Sequence, residues 1–262
     1  MKIWQAIVLG AVQGFTEFLP VSSSGHLILT ERWLGVNAAG GLFFDVMLHI
    51  GTLVPVVITF GKAIKGLFCN PKKILYLIIA TVPAAVMGIL FQDEIEKAFT
   101  GGDLMAVILL SAAFVLTAVE LLFAEKLSRN LKNALPLSFK SSIIMGVFQG
   151  AAVIPGLSRS GTILTGGALS GLDGENNAEF TFLMSIPVIL GAAAVSGAKA
   201  IRVGAEIDII PVAFGVITAA ITGYIAINAM LKAVKKARYK AFSVYLIFLA
   251  TVSLATKLIW GV

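Results

Sequence analysis

Two short polar stretches contain the residues with the greatest potential for chemistry, and both lie within long apolar regions. The first, residues 13–26, reads QGFTEFLPVSSSGH, and the second, residues 149–162, reads QGAAVIPGLSRSGT. The second repeats the Gln-Gly and Ser-x-Ser-Gly elements of the first at an offset of 136 positions. The first adds a carboxylate and an imidazole, Glu17 and His26, and the second adds a guanidinium, Arg159. We expect the two stretches to meet within the membrane and to form one polar site.

Arg159 is the residue whose position most needs an explanation. An arginine at the centre of a membrane helix costs at least about 2.5–3.5 kcal/mol, so it requires an anionic partner or ligand. Ser158, Ser160 and Gly161 precede an apolar helical run, which places free N–H groups and a positive helix end beside the guanidinium. This combination favours a phosphate. The alternative is an internal ion pair with Glu17 that holds the two halves of the chain together.

The serines of the first stretch are candidates both for helix capping and for ligand binding. Ser22, Ser23 and Ser24 precede a helix that we expect to begin near Gly25. One hydroxyl is enough to cap this helix, so the other two are available to a ligand. His26 follows in the first turn, where a neutral imidazole can act as a base or a nucleophile. The alternative is a histidine whose only role is in the packing of the core.

Glu17 lies one helical turn after Gln13, so the two side chains share a helix face. A carboxylate in an apolar segment indicates a general base, a cation ligand or a group that orients His26. Asp45 and His49 are also one turn apart. They either line the opening of the site or only form a hydrogen bond with each other.

The composition identifies an integral membrane protein. Of the 262 residues, 58% are hydrophobic and 13% are charged, against about 25% charged in soluble domains, and the mean hydropathy is +0.96. The net charge of +6 arises mainly from short loops between apolar runs, which is typical of membrane topology and not of nucleic-acid binding. The single cysteine, Cys69, excludes an intrachain disulfide. The N-terminal run lacks the features of a signal peptide, so we expect it in the mature fold.

Six apolar segments are long enough to cross a bilayer, which requires about 20 residues. They are roughly 43–60, 74–91, 104–124, 179–200, 209–230 and 241–261. Two further regions, 3–33 and 141–171, are interrupted by the polar stretches. Pro20 and Pro155 lack a backbone donor and disfavour a helical residue before them. Each region therefore predicts a re-entrant pair of short helices, which requires surrounding protein or water.

The distribution of positive charge predicts the orientation. Three loops each contain at least four Lys or Arg residues: 61–73, 125–140 and 231–240. Loops 91–103 and 201–208 contain one each. The basic loops are therefore expected in the cytoplasm and both termini outside, so the first re-entrant pair enters from outside and the second from inside. Glu120 and Glu179 fall near span ends, where interfacial water is the simpler explanation.

The offset of 136 positions also relates the spans of the two halves. Starts at 43, 74 and 104 correspond closely to those at 179, 209 and 241. Each half then has one re-entrant pair and three crossings, and an odd number of crossings inverts the second half. Inverted repeats with interrupted helices are typical of transporters. We predict one all-α membrane domain, 1–262, with halves of about 1–125 and 137–262; coincidental hydropathy is the alternative.

These stretches resemble the signatures of the undecaprenyl-diphosphate phosphatases, also called bacitracin-resistance proteins. QGFTEFLPVSSSGHLIL resembles the first signature and PGLSRSG the second, and FFDVMLHIGTL and AEFTFLMSIPVILGA resemble other family segments. The resemblance covers nearly the whole chain. It implies an integral membrane phosphatase that converts a long polyprenyl diphosphate to the monophosphate carrier used in cell-wall synthesis. The family often has threonine where this chain has Ile163, one position after Thr162.

The resemblance also implies roles for individual residues. Glu17, Ser23, His26 and Arg159 fall on the catalytic positions, and Gln13 on a position that is Glu or Gln in the family. A divalent cation, Mg²⁺ or Ca²⁺, is implied, held jointly by Glu17 and the diphosphate. The residues expected to bind substrate are Gln13, Ser22, Ser24, Gly25, Ser158, Ser160, Gly161 and Thr162.

The leading hypothesis is hydrolysis of a lipid diphosphate, with Arg159 and the groups around Ser158 and Ser160 binding the terminal phosphate. Ser23 is slightly favoured over His26 as the nucleophile, with His26 as the proton shuttle. The alternative is a transporter or flippase of lipid phosphates, which the repeat alone would favour. The expected partners are a polyprenyl diphosphate and membrane lipids, without nucleic acid, and a homodimer is left open. The expected location is the cell membrane, multi-pass, with the site opening to the external side.

Overall fold

A computed structural model describes residues 1–36, 41–100, 102–202 and 208–261, and these residues form ten helices and no strand. In chain order the helices are α1 (Ile3–Phe18), α2 (Ser23–Leu34), α3 (Gly41–Cys69), α4 (Pro71–Thr100), α5 (Leu104–Arg129), α6 (Phe139–Ala151), α7 (Arg159–Leu169), α8 (Gly174–Arg202), α9 (Ile209–Lys235) and α10 (Lys240–Trp260). Helices α3, α4, α5, α8, α9 and α10 are long and apolar enough to cross a membrane. The prediction of an all-α protein with six helices able to cross a membrane is therefore confirmed for the described residues.

The long helices extend beyond the apolar segments that predict them. Helix α3 continues to Cys69, so it includes Lys62 and Lys65, which the sequence places in a loop. Lysine is a good helix former, and its long side chain can place the ammonium group at the membrane–water interface. The helix therefore continues past the end of the apolar run. Of the predicted loop 201–208, positions 203–207 lie outside the described residues.

The two interrupted regions each contain two short helices. Helix α1 has 16 residues and α7 has 11, so at about 1.5 Å per residue both are shorter than the hydrocarbon core of about 30 Å. The break after α1 contains Pro20, and the break after α6 contains Pro155. The prolines therefore mark the interruptions, as expected from the sequence.

Small residues let the short helices pack closely against long ones. A Cβ added to Gly10 of α1 would lie 3.0 Å from the Cα of Gly215 in α9. A Cβ added to Gly146 of α6 would lie 2.9 Å from the Cα of Ala80 in α4. Membrane helices associate largely through such van der Waals contact. The glycines thus fix the distance of each short helix from its long neighbour.

We expect Gly10→Ala to destabilise the fold by about 1–3 kcal/mol, because the added methyl group meets the backbone of α9, which cannot rotate away. The midpoint of thermal unfolding in detergent measures this loss. Gly88→Ala in α4 is the matched control, since a Cβ at Gly88 meets nothing within 4 Å. An unchanged midpoint for Gly10→Ala would contradict the close packing.

Aromatic side chains form the core around the inner ends of the short helices. Phe18, the last residue of α1, packs edge-on against Phe182 of α8 with ring centroids 5.6 Å apart. Phe114 of α5 is fully buried and lies against Gly25 of α2. These contacts hold the end of α1 and the start of α2 in place, and the polar stretches lie at those two points.

Candidate active site

The two polar stretches meet at the Glu17 carboxylate, in the last turn of α1. Glu17 Oε1 forms an ion pair with the guanidinium of Arg159, the first residue of α7. Glu17 Oε2 accepts hydrogen bonds from Gln13 Nε2 at 2.9 Å and from Ser23 Oγ at 2.7 Å. The Glu17 side chain is 5% exposed and that of Arg159 is 21% exposed. The half-buried arginine therefore has an anionic partner, and the hydroxyl of Ser23 binds the same carboxylate.

Serine side chains cap the two helices that begin at the site. Ser22 Oγ accepts from the N–H of Gly25 at 3.3 Å, and Ser158 Oγ accepts from the N–H of Gly161 at 3.2 Å. Ser160 Oγ donates to the carbonyl of Leu19, in the loop of the first stretch, at 3.3 Å. One serine in each stretch therefore caps a helix, Ser22 at α2 and Ser158 at α7. The positive ends of α2 and α7 remain directed toward the region around Glu17 and Arg159.

A small cavity next to Arg159 is also lined by α8. Glu17, Ser160 and Ile163 border it from α1 and α7, and Thr181 and Ser185 border it from α8. The sequence reasoning gave the last two no role. The only signal was their place in AEFTFLMSIPVILGA, one of the segments with a family resemblance.

His26 lies beside the site with both ring nitrogens engaged. Nδ1 is 2.7 Å from the carbonyl oxygen of Ser22, and Nε2 is 2.7 Å from the hydroxyl of Tyr245 in α10. Among the described residues, no hydrogen bond joins His26 to Glu17 or Ser23. The proton-shuttle role stays a prediction that this geometry does not favour. Tyr245, for which the sequence predicts no role, is its main partner outside the first stretch.

His49 is the imidazole that faces Glu17. Its Nε2 lies 3.5 Å from Glu17 Oε2, and its Nδ1 lies 2.8 Å from the backbone carbonyl oxygen of Asp45. The backbone carbonyl of Asp45, one helical turn before His49, therefore orients the imidazole ring. Of the two interpretations considered for this pair, the position of His49 favours a lining role at the site.

The side chain of Thr162 contacts α5. Its Oγ1 donates to Glu120 Oε2 at 2.7 Å, and Thr165 Oγ1 lies 3.3 Å from the Glu120 carbonyl oxygen. The expectation that interfacial water surrounds Glu120 stays a prediction, since the residue is half-buried, and the structure adds a protein partner for its carboxylate in α7. Substrate binding by Thr162 stays a prediction, although its hydroxyl already has a protein partner.

The other residues of the two stretches mainly contact other parts of the protein. Gln149, which repeats Gln13, donates to the carbonyl of Ala80 at 3.0 Å and lies in the contact of α6 with α4. Ser24 is half-buried in the first turn of α2. Gly25 lies so close to Phe114 that a Cβ would overlap the ring.

We expect Glu17→Gln to lower kcat by at least about 10²-fold, because Ser23 loses its proton acceptor. The variant also leaves Arg159 buried without an anion, which costs about 3–5 kcal/mol. Phosphate release and thermal unfolding in detergent measure the two effects.

Glu179→Gln is the control for this loss. Glu179 lies 3.8 Å from Lys73 and is 35% exposed, so its removal should change stability by no more than about 1 kcal/mol. Equal effects of the two substitutions would contradict the central position of Glu17.

The six spanning helices and this buried group of charged and hydroxyl side chains define a multi-pass membrane protein with an internal polar site. The chain matches the family model described as "Bacitracin resistance protein BacA" over residues 6–252. It belongs to that family, as the resemblance of its polar stretches implies.

Relatives of similar length are named undecaprenyl-diphosphatase. One from Caldicellulosiruptor bescii is 41% identical over 274 aligned positions, covering 100% of both chains. One from Thermodesulfovibrio yellowstonii is 39% identical over 255 positions, with 96% of each chain covered. One from Carboxydothermus hydrogenoformans is 38% identical over 250 positions, with 94% of each covered. The similarity therefore extends over the full length of the fold.

Proposed function

We propose that this protein hydrolyses undecaprenyl diphosphate to the monophosphate and inorganic phosphate, so that the lipid carrier is recycled for cell-wall synthesis. The observation that supports this most strongly is the contact of Ser23 and Arg159 with one buried carboxylate, Glu17, in a chain of the BacA family. Phosphoryl transfer depends on positioning and on neutralisation of charge. A guanidinium, an oriented hydroxyl and two helix N-termini supply both.

Ser23 is the proposed nucleophile. Its hydroxyl proton passes to Glu17 Oε2, 2.7 Å away, while Oγ attacks the terminal phosphorus. The anhydride P–O bond breaks, and the lipid monophosphate leaves with its bridging oxygen. That oxygen takes the proton from Glu17, which regenerates the carboxylate. Water then attacks the phosphoserine with Glu17 again as the base, the P–Oγ bond breaks, the proton returns to Ser23 Oγ, and inorganic phosphate is released. This sequence needs no proton transfer by His26.

Arg159 is the proposed ligand of the terminal phosphate. Its guanidinium has five donors in a planar fork, so it can retain Glu17 and still bind phosphate oxygens. The first-turn N–H groups of Ser24 and Ser160 lie where helices leave donors without intrahelical partners. We assign these two N–H groups to the phosphate. Ser158 and Gly161 form the capped turn that presents the N–H of Ser160.

The donor atoms around Glu17 also fit a divalent cation. Gln13 Oε1 is buried and has no hydrogen-bond partner among the described residues, and it belongs to the side chain that binds Glu17. Mg²⁺ typically takes one or two carboxylates together with substrate phosphate oxygens, and Ca²⁺ accepts amide oxygens. Glu17 and Gln13 would hold the ion, which would neutralise charge on the diphosphate. The substrate would then complete the coordination.

We further propose that α1–α2 and α6–α7 are re-entrant pairs within one membrane domain, and that halves of about 1–125 and 137–262 form an inverted repeat. The packing supports this. Gly14 of α1 lies against Ala219 of α9, and Gly150 of α6 lies against Pro83 of α4. Both pairs of equivalent positions, 14 with 150 and 83 with 219, differ by 136. Helices α1 and α6 therefore each pack on a long helix of the opposite half.

The basic loops support a site that opens to the external side. Cysteine labelling tests this orientation: Ser23→Cys should react with a membrane-impermeant reagent added outside. Cys69 is exposed, so the experiment requires a Cys69→Ser background. Labelling only from the cytoplasmic side would contradict the orientation.

Purified protein in detergent tests the activity. Release of inorganic phosphate from undecaprenyl diphosphate distinguishes the phosphatase from a transporter or flippase of lipid phosphates, which would move the lipid without cleaving it. A preparation that stays folded and releases no phosphate, with Mg²⁺ or Ca²⁺ present, would exclude the proposed reaction. Native mass spectrometry of the same preparation tests whether the protein forms a homodimer, which the sequence leaves open.

A further inference from the structure

We propose that Tyr245 of α10 is a positioning residue, which acts through His26 to hold the backbone that presents Ser23 to Glu17. This assignment rests on the function proposed above, because Ser23 is the nucleophile there. Tyr245 is separated from His26 by 219 positions and belongs to the opposite half of the chain. The contact therefore fixes the loop that contains Ser22 and Ser23, in the first half of the chain, to a helix of the second half.

The backbone of Ser22 needs such a constraint. Ser22 has φ 69° and ψ 90°, a conformation that side chains with a Cβ rarely adopt. Ser158, the equivalent cap of α7, has an extended backbone with φ −80° and ψ 112°. The unusual conformation of Ser22 comes immediately before Ser23 and decides where its hydroxyl points. Strained backbone at a functional loop persists only where the surroundings hold it.

His26 holds this backbone through the carbonyl of Ser22. The carbonyl oxygen accepts from the backbone N–H of His26 at 3.2 Å and lies 2.7 Å from His26 Nδ1. A carbonyl can only accept, so Nδ1 carries the proton. In the neutral ring Nε2 is then an acceptor, and the hydroxyl of Tyr245 donates to it at 2.7 Å. The chemistry of the partners thus assigns the tautomer.

Packing fixes the ring of His26 on its faces as well. The Tyr245 ring stacks on it with centroids 5.6 Å apart and planes 11° apart. Phe114 approaches at 6.2 Å with the planes at 63°. An imidazole with both nitrogens bonded and its ring packed in this way is suited to fixing a loop. It is poorly suited to moving toward a phosphorus atom.

The second stretch is held in an equivalent way. Thr162, 136 positions after His26, binds Glu120 of α5, and Thr117 of α5 accepts from the N–H of Ser158 at 3.1 Å. Helices α5 and α10 pack on each other, with Ser111 Oγ 3.3 Å from the carbonyl oxygen of Ala250. One pair of helices therefore contacts both loops, and Tyr245 of α10 and Phe114 of α5 are its contacts with the first.

Three substitutions test the assignment. His26→Asn places an amide nitrogen near the position of Nδ1, so it can still donate to Ser22, whereas His26→Gln places it nearer Nε2. We expect His26→Asn, which keeps the bond to Ser22 and loses the contact with Tyr245, to lower kcat by no more than about tenfold. We expect His26→Gln to lower kcat about 100-fold, because the Ser22 carbonyl loses its side-chain donor and an unsatisfied acceptor costs more than the net value of one hydrogen bond. Tyr245→Phe keeps the stacking but loses the hydroxyl, and should lower kcat about tenfold with KM within twofold.

The dependence of kcat on pH separates positioning from proton transfer. His26→Asn should keep both limbs of the wild-type profile, because the side chain it replaces transfers no proton. Tyr224→Phe, at an exposed tyrosine of α9, is the matched control and should be unchanged.

Two results would overturn the assignment. One is His26→Asn as inactive as His26→Gln, with a limb of the pH profile missing, which would make His26 a proton-transfer group. The other is Tyr245→Phe with wild-type kcat. Both presuppose that wild-type protein releases phosphate; failure of the wild type itself would count against the proposed function instead.

Discussion

Replacing Arg159 with lysine is expected to lower kcat/KM for undecaprenyl diphosphate by about 10²–10³-fold, the usual cost of removing a donor that stabilises transition-state charge. Arg159 already gives one side of its guanidinium to Glu17, and the planar fork leaves further donors for the phosphate. The ammonium of lysine is a single charged centre on a flexible stem. It cannot maintain both contacts with the same geometry. Initial rates of phosphate release at several substrate concentrations measure the loss.

A second arginine provides the control for this substitution. Arg129 at the end of α5 pairs with Glu125 at 2.9 Å, but its side chain is 55% exposed and lies outside the site. Arg129→Lys should therefore leave kcat/KM within about twofold of the wild-type value, because exposed ion pairs contribute little free energy. Full turnover by Arg159→Lys would mean that the arginine only joins the two stretches, which is the structural alternative raised by the sequence.

Much of the fold is predictable because a bilayer imposes strong rules on sequence. Six apolar runs and two proline interruptions are enough to place ten helices approximately. The ends of the helices are less predictable, as α3 shows by continuing past Lys62 and Lys65 to Cys69. Hydropathy detects where a chain stops being apolar, whereas backbone hydrogen bonding decides where the helix stops.

The centre of the site is predictable for a related reason. A charged residue in an apolar segment needs a partner, and the sequence offers Arg159 either a phosphate or Glu17 in the matching stretch. The structure shows the contact with Glu17. The surrounding residues carry no such signal. Tyr245 and Thr181 are ordinary members of long apolar helices, and only the packing of α10 and α8 brings them to the site.

Histidine illustrates the limit of reasoning from spacing. His26 is close in sequence to Ser23, yet its ring turns to α10, while His49, 23 positions further along, faces Glu17. The direction of a side chain from a helix depends on its angular position. Closeness in sequence therefore identifies the correct loop, but it points to His26 and not to His49, which is the imidazole that faces Glu17.

Replacing Ser23 with alanine is expected to lower turnover by at least about 10³-fold, since the proposed reaction has no other group in position to attack the phosphorus. Ser23 is the serine of the first stretch whose hydroxyl bonds Glu17, whereas Ser22 caps α2. Ser170→Ala is the control, because that hydroxyl only bonds the carbonyl of Gly166 at the end of α7. Ser170→Ala should leave turnover nearly unchanged.

A rapid acid quench of the wild-type protein during turnover should trap phosphate on Ser23. Substrate labelled in its terminal phosphate supplies the label, and mass spectrometry of peptides identifies the residue. A phosphoserine survives acid, whereas a phosphohistidine is lost in acid and survives base, so parallel quenches distinguish Ser23 from His26. Label on His26 would reverse the roles assigned to the two residues. Label on neither, with Ser23→Ala still active, would leave direct attack by water, with Glu17 as the base and Arg159 holding the phosphate.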